Sequence, residues 1–262
     1  MQKTAKKNSK KNVKTGELVY GIHPVLELLT QKRRKIFEIY ISDSDSRIAA
    51  KIEKLLPNYP VAIHKLNKEL LTHKLHTADH QGIGALAQVY PFRNKFFDPK
   101  KEPFLLLLDG LQDVRNLGAI IRSAYCTGVN GVIICRKNCA PLTATALKAS
   151  AGLAERMDIY TAPSIESALI ELKHAGYNIY IAALSNQANA FTLTYTKPLC
   201  LVIGSEATGV SPITRKAGTI VTLPQQNSSK PSSTTRSIQQ DSDVSYNASV
   251  AAGILLSLIA YK

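Results

Sequence analysis

The sequence lacks the features of membrane, secreted and metal-stabilised proteins. Its longest apolar runs, such as Phe104 to Leu108, are too short to cross a bilayer. The lysine-rich N-terminus has no apolar core of the kind that a secretory signal needs. The four cysteines, Cys126, Cys135, Cys139 and Cys200, lack the C-x-x-C spacing of redox and zinc sites. These absences predict a cytoplasmic protein with reduced, buried thiols and no membrane partner.

Acidic residues are also scarce relative to basic ones. The chain has 33 lysines and arginines against 19 acids, which is a formal net charge of +14. Six lysines and no acid lie within the first fourteen residues, and subtracting these lysines leaves +8 on the remainder. Nucleic acid is the commonest partner of such a surplus, because each neutralised phosphate releases counterions. A cation-rich solubilising surface is the alternative that charge alone leaves open.

Changes in composition divide the N-terminal part of the chain. Residues 1–16 have no apolar pattern and predict a disordered basic arm. Residues 17–90 alternate short helical and strand patterns, which predicts a small α/β domain. Residues 91–103 contain three prolines and are interpreted as a linker. Within the small domain we expect helices at 25–29, 48–56 and 68–72, the last capped by Asn67, and strands at 36–41, 61–64 and 83–89.

Residues 104–262 predict a second, larger α/β domain. Short strands of valine, isoleucine and leucine alternate here with helices, which favours a mostly parallel sheet covered on both faces. Residues 225–244 are rich in serine, threonine and glutamine and predict a flexible insertion within this domain. The expected strands lie at 104–108, 132–134, 178–183, 199–203 and 220–223, and the expected helices at 117–127, 165–174 and 248–260.

A polar segment follows the buried strand at 104–108, at the edge where ligands bind in open parallel sheets. Asn116 stands at the start of the next helix, and Gly118 permits another group to approach the backbone closely. Arg122 lies further along the same helix. A helix cap, a packing glycine and a solvated arginine are the alternative interpretation of these three residues.

Two further segments combine a strand with a polar or glycine-bearing loop. Gly204 and Glu206 follow the strand at 199–203, and glycine lets backbone amides meet a ligand directly. This segment lacks the dinucleotide fingerprint G-x-G-x-x-G, and an ordinary tight turn explains its glycines equally well. Near the C-terminus, Asn247 or Ser245 is expected to cap the last helix.

Three histidines, His73, His76 and His80, have a spacing that raises the question of a metal site. No acid or cysteine completes a convincing ligand set with them, so no metal is predicted.

Together and in this order, the polar segments resemble the motifs of the SpoU (TrmH-like) family of RNA 2′-O-ribose methyltransferases, within the SPOUT class. Asn116, Gly118 and Arg122 are similar to the first motif of that family. The sequence Gly204-Ser-Glu206, with a second glycine three residues later, is similar to the second motif. The combination is far more specific than any single motif.

The resemblance extends over residues 19–260. Leu223-Pro224 and the stretch 245–253 are similar to the third motif. In the first domain, residues 20–24 (YGIHP) and 80–83 (HQGI) resemble the substrate-binding domain of the RlmB-like subgroup.

The resemblance implies a SPOUT-type fold, in which a mostly parallel sheet carries a C-terminal trefoil knot. A small, ribosomal-protein-like α/β domain would precede it and bind the substrate. S-adenosyl-L-methionine would be the cofactor, held largely by backbone groups near Gly204, Leu223 and Tyr246. Members of the family typically form homodimers, and the small-residue face of the last helix is expected to contribute to that interface.

The resemblance also implies roles for the polar side chains. Arg122 would act on the ribose hydroxyl, and stabilising the developing alkoxide suits it better than proton abstraction, because arginine is a poor base. Glu206 would orient Arg122 or Asn116 through charge-assisted hydrogen bonds. Asn247 would help to shape the pocket.

The implied partner is RNA, most specifically a guanosine of large-subunit (23S) ribosomal RNA. Two alternatives stay open. One is a tRNA ribose methyltransferase. The other is a catalytically weak member of the family that acts as an RNA-binding ribosome assembly factor, because the predicted insertion at 225–244 interrupts the third motif.

Overall fold

The protein is described by a computed structural model over residues 16–43, 46–185, 188–225 and 245–262. The predicted basic arm lies outside these ranges apart from Gly16, and so does the predicted insertion apart from Gln225. No helix within the described ranges is both long and apolar enough to cross a membrane.

The N-terminal part is a mixed sheet with helices. In chain order its elements are β1 (Glu17–Tyr20), α1 (Ile22–Gln31), β2 (Ile36–Ser42), α2 (Ser46–Glu53), β3 (Ala62–Leu66), α3 (Lys68–Leu75) and β4 (Ile83–Ala87). The strand order is β1-β4-β2-β3, with β4 antiparallel to β1 and β2, and β3 parallel to β2. Asn67 caps α3 as predicted, because its side-chain oxygen accepts from the Leu70 N–H at 2.9 Å. The strand β1 was not predicted, because four residues are too few to define a period.

The C-terminal part is a parallel sheet, as predicted. Its elements are β5 (Phe104–Asp109), α4 (Val114–Cys126), β6 (Gly131–Cys135), α5 (Ala144–Ala149), β7 (Ile159–Ala162), α6 (Ile165–Ala175), β8 (Asn178–Ala182), β9 (Leu199–Gly204), α7 (Pro212–Arg215), β10 (Thr219–Val221) and α8 (Ala248–Ala260). The strand order is β10-β8-β9-β5-β6-β7, and every neighbouring pair is parallel. A 3-10 turn at Leu153–Arg156 precedes β7.

Three elements of this part escaped the sequence analysis: α5, α7 and β7. Both helices have six residues or fewer, which is too short for a helical period to show. The strand β7 lies at the edge of the sheet and has two half-buried residues, Tyr160 and Thr161, at its centre. Its sequence therefore lacks the continuous apolar run of the central strands.

The central strand β5 is buried on both faces. Leu106 and Leu108 face a core cluster that includes Leu117 of α4 and Leu255 of α8. Leu105 and Leu107 face a second cluster with residues of α6. Each fully buried leucine contributes roughly 1.5–3 kcal/mol relative to an exposed one, so this strand stabilises both layers of helices.

A buried ion pair joins the two parts of the chain. The Arg34 guanidinium donates to Glu155, and the two side chains are 0% and 1% exposed. Arg34 also donates to the Glu17 carboxylate and to the Gln88 carbonyl, each at 3.1 Å. Burial raises the pKa of Glu155, and the charge of Arg34 opposes that rise.

Further contacts surround this pair. Arg33 donates to Asp158 at 2.8 Å and to the Met157 carbonyl at 2.7 Å. The Tyr90 hydroxyl is 2.8 Å from the Ala154 carbonyl and donates into the same turn. Phe97, in the predicted linker, packs so closely on Gly131 that a Cβ atom there would lie 2.1 Å from its ring. The segment 91–103 is therefore packed against the parallel sheet rather than extended between the two parts.

The Glu155–Arg34 pair leads to a prediction about stability. Glu155→Ala leaves Arg34 buried without its main counter-charge, so we expect the free energy of unfolding to fall by about 3 kcal/mol or more. Glu27→Ala is the control, because it breaks a more exposed pair with Arg156, and we expect a loss of about 1 kcal/mol or less. Urea denaturation followed by circular dichroism measures both variants. Equal losses in the two variants would contradict the assigned role of Glu155.

Candidate functional site

A cavity of about 500 Å³ opens at the carboxyl ends of β8 and β9, where the first residues of α8 approach the sheet. The three residues predicted to bind the cofactor, Gly204, Leu223 and Tyr246, all line this cavity. Glu206 and Arg215 are the charged residues among its lining. Its walls also include Ile203, Ala251 and Leu255. The volume lies within the range of small-molecule sites, and the apolar walls with a few polar groups are typical of them.

Glu206 connects this cavity with the first motif. The side-chain amide of Asn116 donates to the Glu206 carboxylate, although the two residues are 90 positions apart in the sequence. Asn116 is not the helix cap that the alternative interpretation allowed. The cap is Asp113, whose carboxylate accepts from the Arg115 N–H at 2.8 Å. Because Asp113 caps the helix, the Asn116 amide is available for the loop that bears Glu206.

Gly118 and Gly204 are needed for close backbone packing. A Cβ atom on Gly118 would lie 2.3 Å from the Ala146 carbonyl oxygen, so α5 packs directly on this face of α4. This confirms the predicted close approach. A Cβ atom on Gly204 would lie 2.3 Å from the Gly209 carbonyl carbon. Gly204 therefore lets the loop after β9 fold tightly back over the end of its strand.

Arg122 lies apart from the cavity. It is exposed on α4, six residues and so about 9 Å along the axis from Asn116. No described residue forms an ion pair or a side-chain hydrogen bond with it. The sequence-predicted set therefore divides: Glu206 and the three cofactor residues line one cavity, Asn116 contacts it through Glu206, and Arg122 faces solvent.

Asn247 caps α8 and is thus the correct one of the two predicted candidates, Asn247 and Ser245. Its side-chain oxygen accepts from the Ser249 N–H at 2.9 Å and from the Ser249 hydroxyl at 2.6 Å. The neighbouring residues Tyr246 and Ala248 line the cavity, whereas Asn247 does not. The cap therefore determines where α8 begins and how its first residues meet the cavity.

Sequence reasoning missed Asp109, at the end of β5. Its side chain is buried, and its carboxylate accepts from the Ser211 N–H at 2.7 Å. Within the same loop, Ser205 and Gly209 exchange two backbone hydrogen bonds of 3.0 Å. Asp109 thus holds the far end of the loop that carries Glu206. An acid directly after a fully apolar strand was the available signal, because a buried carboxylate needs a partner.

His80 of the first domain has a structural role. His80 accepts from the Gly82 N–H through Nδ1 at 2.9 Å, and its Nε2 lies 3.0 Å from the Thr72 hydroxyl. Burial lowers the pKa of His80, and the charges of Lys68 and Lys148 lower it further. Within the described residues, no three histidine, cysteine or acidic side chains form a group that could hold a metal ion.

Comparison with known protein families gives two matches that together span most of the chain. The model described as "SpoU rRNA Methylase family" matches residues 103–257. The model described as "RNA 2′-O ribose methyltransferase substrate binding" matches residues 18–93.

Similar proteins and structures agree with these families. The chain is 32% identical over 252 residues to the 23S rRNA (guanosine-2′-O-)-methyltransferase RlmB of Photorhabdus laumondii, covering 92% of this chain and 96% of that protein. The RlmB protein of Escherichia coli K12 is also 32% identical, with the same coverage. Among solved structures, the SpoU methyltransferase AviRb of Streptomyces viridochromogenes, in complex with AdoMet, has a TM-score of 0.73 at 20% identity, covering 93% of this chain and 89% of that chain.

The packing at Gly118 leads to a prediction. Gly118→Ala forces α4 away from α5, so we expect a loss of about 2 kcal/mol or more in the free energy of unfolding. Gly253→Ala is the matched control, because it also replaces a glycine inside a helix but meets only the Ser123 hydroxyl oxygen, at 3.6 Å. We expect Gly253→Ala to be neutral or stabilising by up to about 1 kcal/mol, the gain in helix propensity. Thermal and urea denaturation of both variants measure the difference, and a stable Gly118→Ala protein would be contrary to this packing.

Proposed function

The chain belongs to the SpoU rRNA methylase family, and on that premise we propose that it methylates the 2′-hydroxyl of a guanosine ribose in 23S rRNA. One observation carries the assignment of the site. Gly204, Leu223 and Tyr246, which are far apart in the sequence, line a single cavity beside Glu206. The rRNA substrate is supported by the names of relatives that align over nearly the whole chain.

The cavity suits S-adenosyl-L-methionine, which would supply the methyl group. Its volume of about 500 Å³ is adequate for a ligand of this size. Ile203, Leu223 and Leu255 offer apolar walls for an adenine ring, and the backbone around Gly204 offers polar groups without side chains in the way. Glu206 contributes a carboxylate at the side of the cavity that faces Asn116.

We assign charge stabilisation rather than proton abstraction to Arg122. An arginine side chain is a poor base but a good partner for an alkoxide or a phosphate. The guanidinium has no ion-pair partner among the described residues, which leaves its donors available to RNA. Asn116 and Glu206 act as a hydrogen-bonded pair that positions the loop next to the ribose, and Asn247 shapes the cavity by capping α8.

We also propose a homodimer, a trefoil knot and a cytoplasmic location. The small residues Ala248 and Ala252 of α8 are buried within the chain, so they are not the contact surface that the sequence suggested. Val250 on α8 is 49% exposed, and such apolar surface favours burial against a second copy. The strand order supports the knot. The strand β10 lies at the edge of the sheet, next to β8, whereas α8, the next described element along the chain, packs against α4. A ribosomal RNA substrate supports the location.

The role of Arg122 leads to a third prediction. Arg122→Ala is expected to lower the turnover number by about 100-fold or more, because a charge-stabilising group is lost from the transition state. Arg115→Ala is the matched control, since Arg115 is exposed on the same helix and its loss changes the net charge equally. We expect the control to keep its turnover number.

Methyl transfer is measured on in vitro transcripts of 23S rRNA and of tRNA. Comparable turnover by Arg122→Ala and Arg115→Ala would refute the assignment, and transfer to tRNA alone would refute the proposed substrate.

The fourth prediction concerns cofactor binding. We expect isothermal calorimetric titration of the whole chain with S-adenosylmethionine to give one site per protomer. Leu223→Trp, which fills the cavity, should abolish that binding, whereas Leu184→Ala at its rim should retain it. An unaltered protein that binds no cofactor at millimolar concentration would favour the alternative, an RNA-binding assembly factor without catalysis.

A further inference from the structure

A second pocket, of about 500 Å³, lies in the N-terminal domain, between the end of α1, the start of β2 and the residues before β3. We call it the basic pocket. Leu28, Leu29 and Ile36 form its apolar part. Lys32, Lys35 and Tyr59 stand around its opening. No acidic residue lines it among the described ranges. An apolar floor under a cationic and aromatic rim is the combination with which proteins hold single nucleotides.

The positive charge around this pocket is only partly neutralised. Residues 32–35 are four consecutive basic residues, Lys-Arg-Arg-Lys. The two arginines are occupied, since Arg33 pairs with Asp158 and Arg34 with Glu155 and Glu17. No carboxylate in the described part of the chain lies within ion-pair distance of Lys32 or Lys35. Two unneutralised ammonium groups beside an opening attract an anionic ligand.

Tyr59 is held in place at the rim. Its hydroxyl accepts from the Ile36 N–H at 2.9 Å, and the Lys35 ammonium lies 5.8 Å from its ring centroid. The residue is nevertheless 36% exposed. A hydrogen bond that immobilises a half-exposed ring lowers the entropy cost of stacking a base on it.

We propose that the basic pocket binds one unpaired nucleotide of the RNA substrate. The base lies against Tyr59 and the apolar floor, and Lys32 and Lys35 bind the flanking phosphate. The claim that the bound RNA is rRNA rests on the proposed function. The claim that the pocket binds a nucleotide rests on the residues of the pocket alone.

The basic pocket and the cofactor cavity lie at opposite ends of the molecule's parallel strands. Arg33 of the pocket pairs with Asp158, directly before β7, which is the amino end of the large sheet. The cofactor cavity lies at the carboxyl ends. A strand of six residues such as β9 spans about 20 Å, so one nucleotide cannot reach both sites. The pocket therefore holds a structured RNA at a point remote from the methylated ribose.

Fluorescence anisotropy with the full-length protein tests this proposal, using two ten-nucleotide RNA probes. One probe is oligoadenylate and the other is the same backbone with abasic sites. Tyr59→Ala is expected to weaken oligoadenylate binding about tenfold, the loss of one stacked base, and to leave the abasic probe unaffected. Tyr59→Phe keeps the ring but loses the hydrogen bond from the Ile36 N–H, so we expect its oligoadenylate affinity to lie between those of the unaltered protein and Tyr59→Ala, with the abasic probe unaffected.

The lysines are tested with a variant matched in charge. Lys32→Ala/Lys35→Ala should weaken both probes and reduce the slope of log affinity against log salt by about 1.4, the value for two contacts with single-stranded RNA. The control is Lys65→Ala/Lys68→Ala, because these exposed lysines lie by the other end of β2, where Ser42 pairs with Leu66. Equal weakening in the two double variants would overturn the proposal, and so would unchanged oligoadenylate binding by Tyr59→Ala.

Cofactor titration separates this proposal from the proposed function. Because the basic pocket is remote from the cavity, all four variants should bind S-adenosylmethionine like the unaltered protein, which also shows that they are folded. A protein that binds no cofactor but has the expected RNA-binding pattern would refute only the proposed function. If the unaltered protein methylates rRNA and Tyr59→Ala binds oligoadenylate equally well, only the proposal for the basic pocket is refuted.

Discussion

The carboxylate of Glu155 and the guanidinium of Arg34 meet inside the contact between the two parts of the chain, where neither side chain has access to solvent. Charges without water are costly unless each is paired, so the two parts can separate only by exposing or breaking the pair. Arg34 Nε and Glu155 Oε2 have no hydrogen-bond partner among the described residues. The cost of burying the two charges is therefore offset by their mutual hydrogen bond and by those from Arg34 to Glu17 and Gln88. The relative position of the N-terminal domain and the parallel sheet depends on this interaction.

The carboxyl edge of the sheet imposes a second constraint, on where chemistry takes place. Parallel strands end side by side there, so loops far apart in the sequence share one surface. Gly204 permits its loop to turn back tightly, Asp109 anchors the far end of that loop, and the Asn116 amide holds Glu206. The cavity beside Glu206 is thus built from backbone packing and short polar contacts, with few charged side chains.

Together, the buried ion pair and the carboxyl edge of the sheet explain how the protein would recognise an RNA. The ion pair of Arg34 joins the domain that contains the basic pocket to the parallel sheet, and the cavity beside Glu206 lies at the opposite end of the strands. On the proposal that both sites contact RNA, a structured RNA of matching length would engage both, whereas a short oligonucleotide would engage one. Selection of a large RNA then follows from the spacing of two modest sites, because linked contacts add their binding energies only when geometry allows both.

Most of the regular structure and most of the site could be predicted from the sequence. Runs of buried aliphatic residues predicted β5 and β9, and the apolar helix α8 was predicted with its observed bounds. Asn67 was identified as a cap and Asn247 as one of two candidates, because capping is a local effect of neighbouring residues. Tertiary structure alone decided that β1 and β7 are strands, since each is short and gains its hydrogen bonds from a distant strand. It also decided that Asn116 holds Glu206 across 90 residues while Asp113 caps the helix, and that Arg34 is buried against Glu155 across 121 residues. Such pairings depend on how the sheet and the two domains bring remote segments together. A local sequence pattern does not show which remote residues will meet.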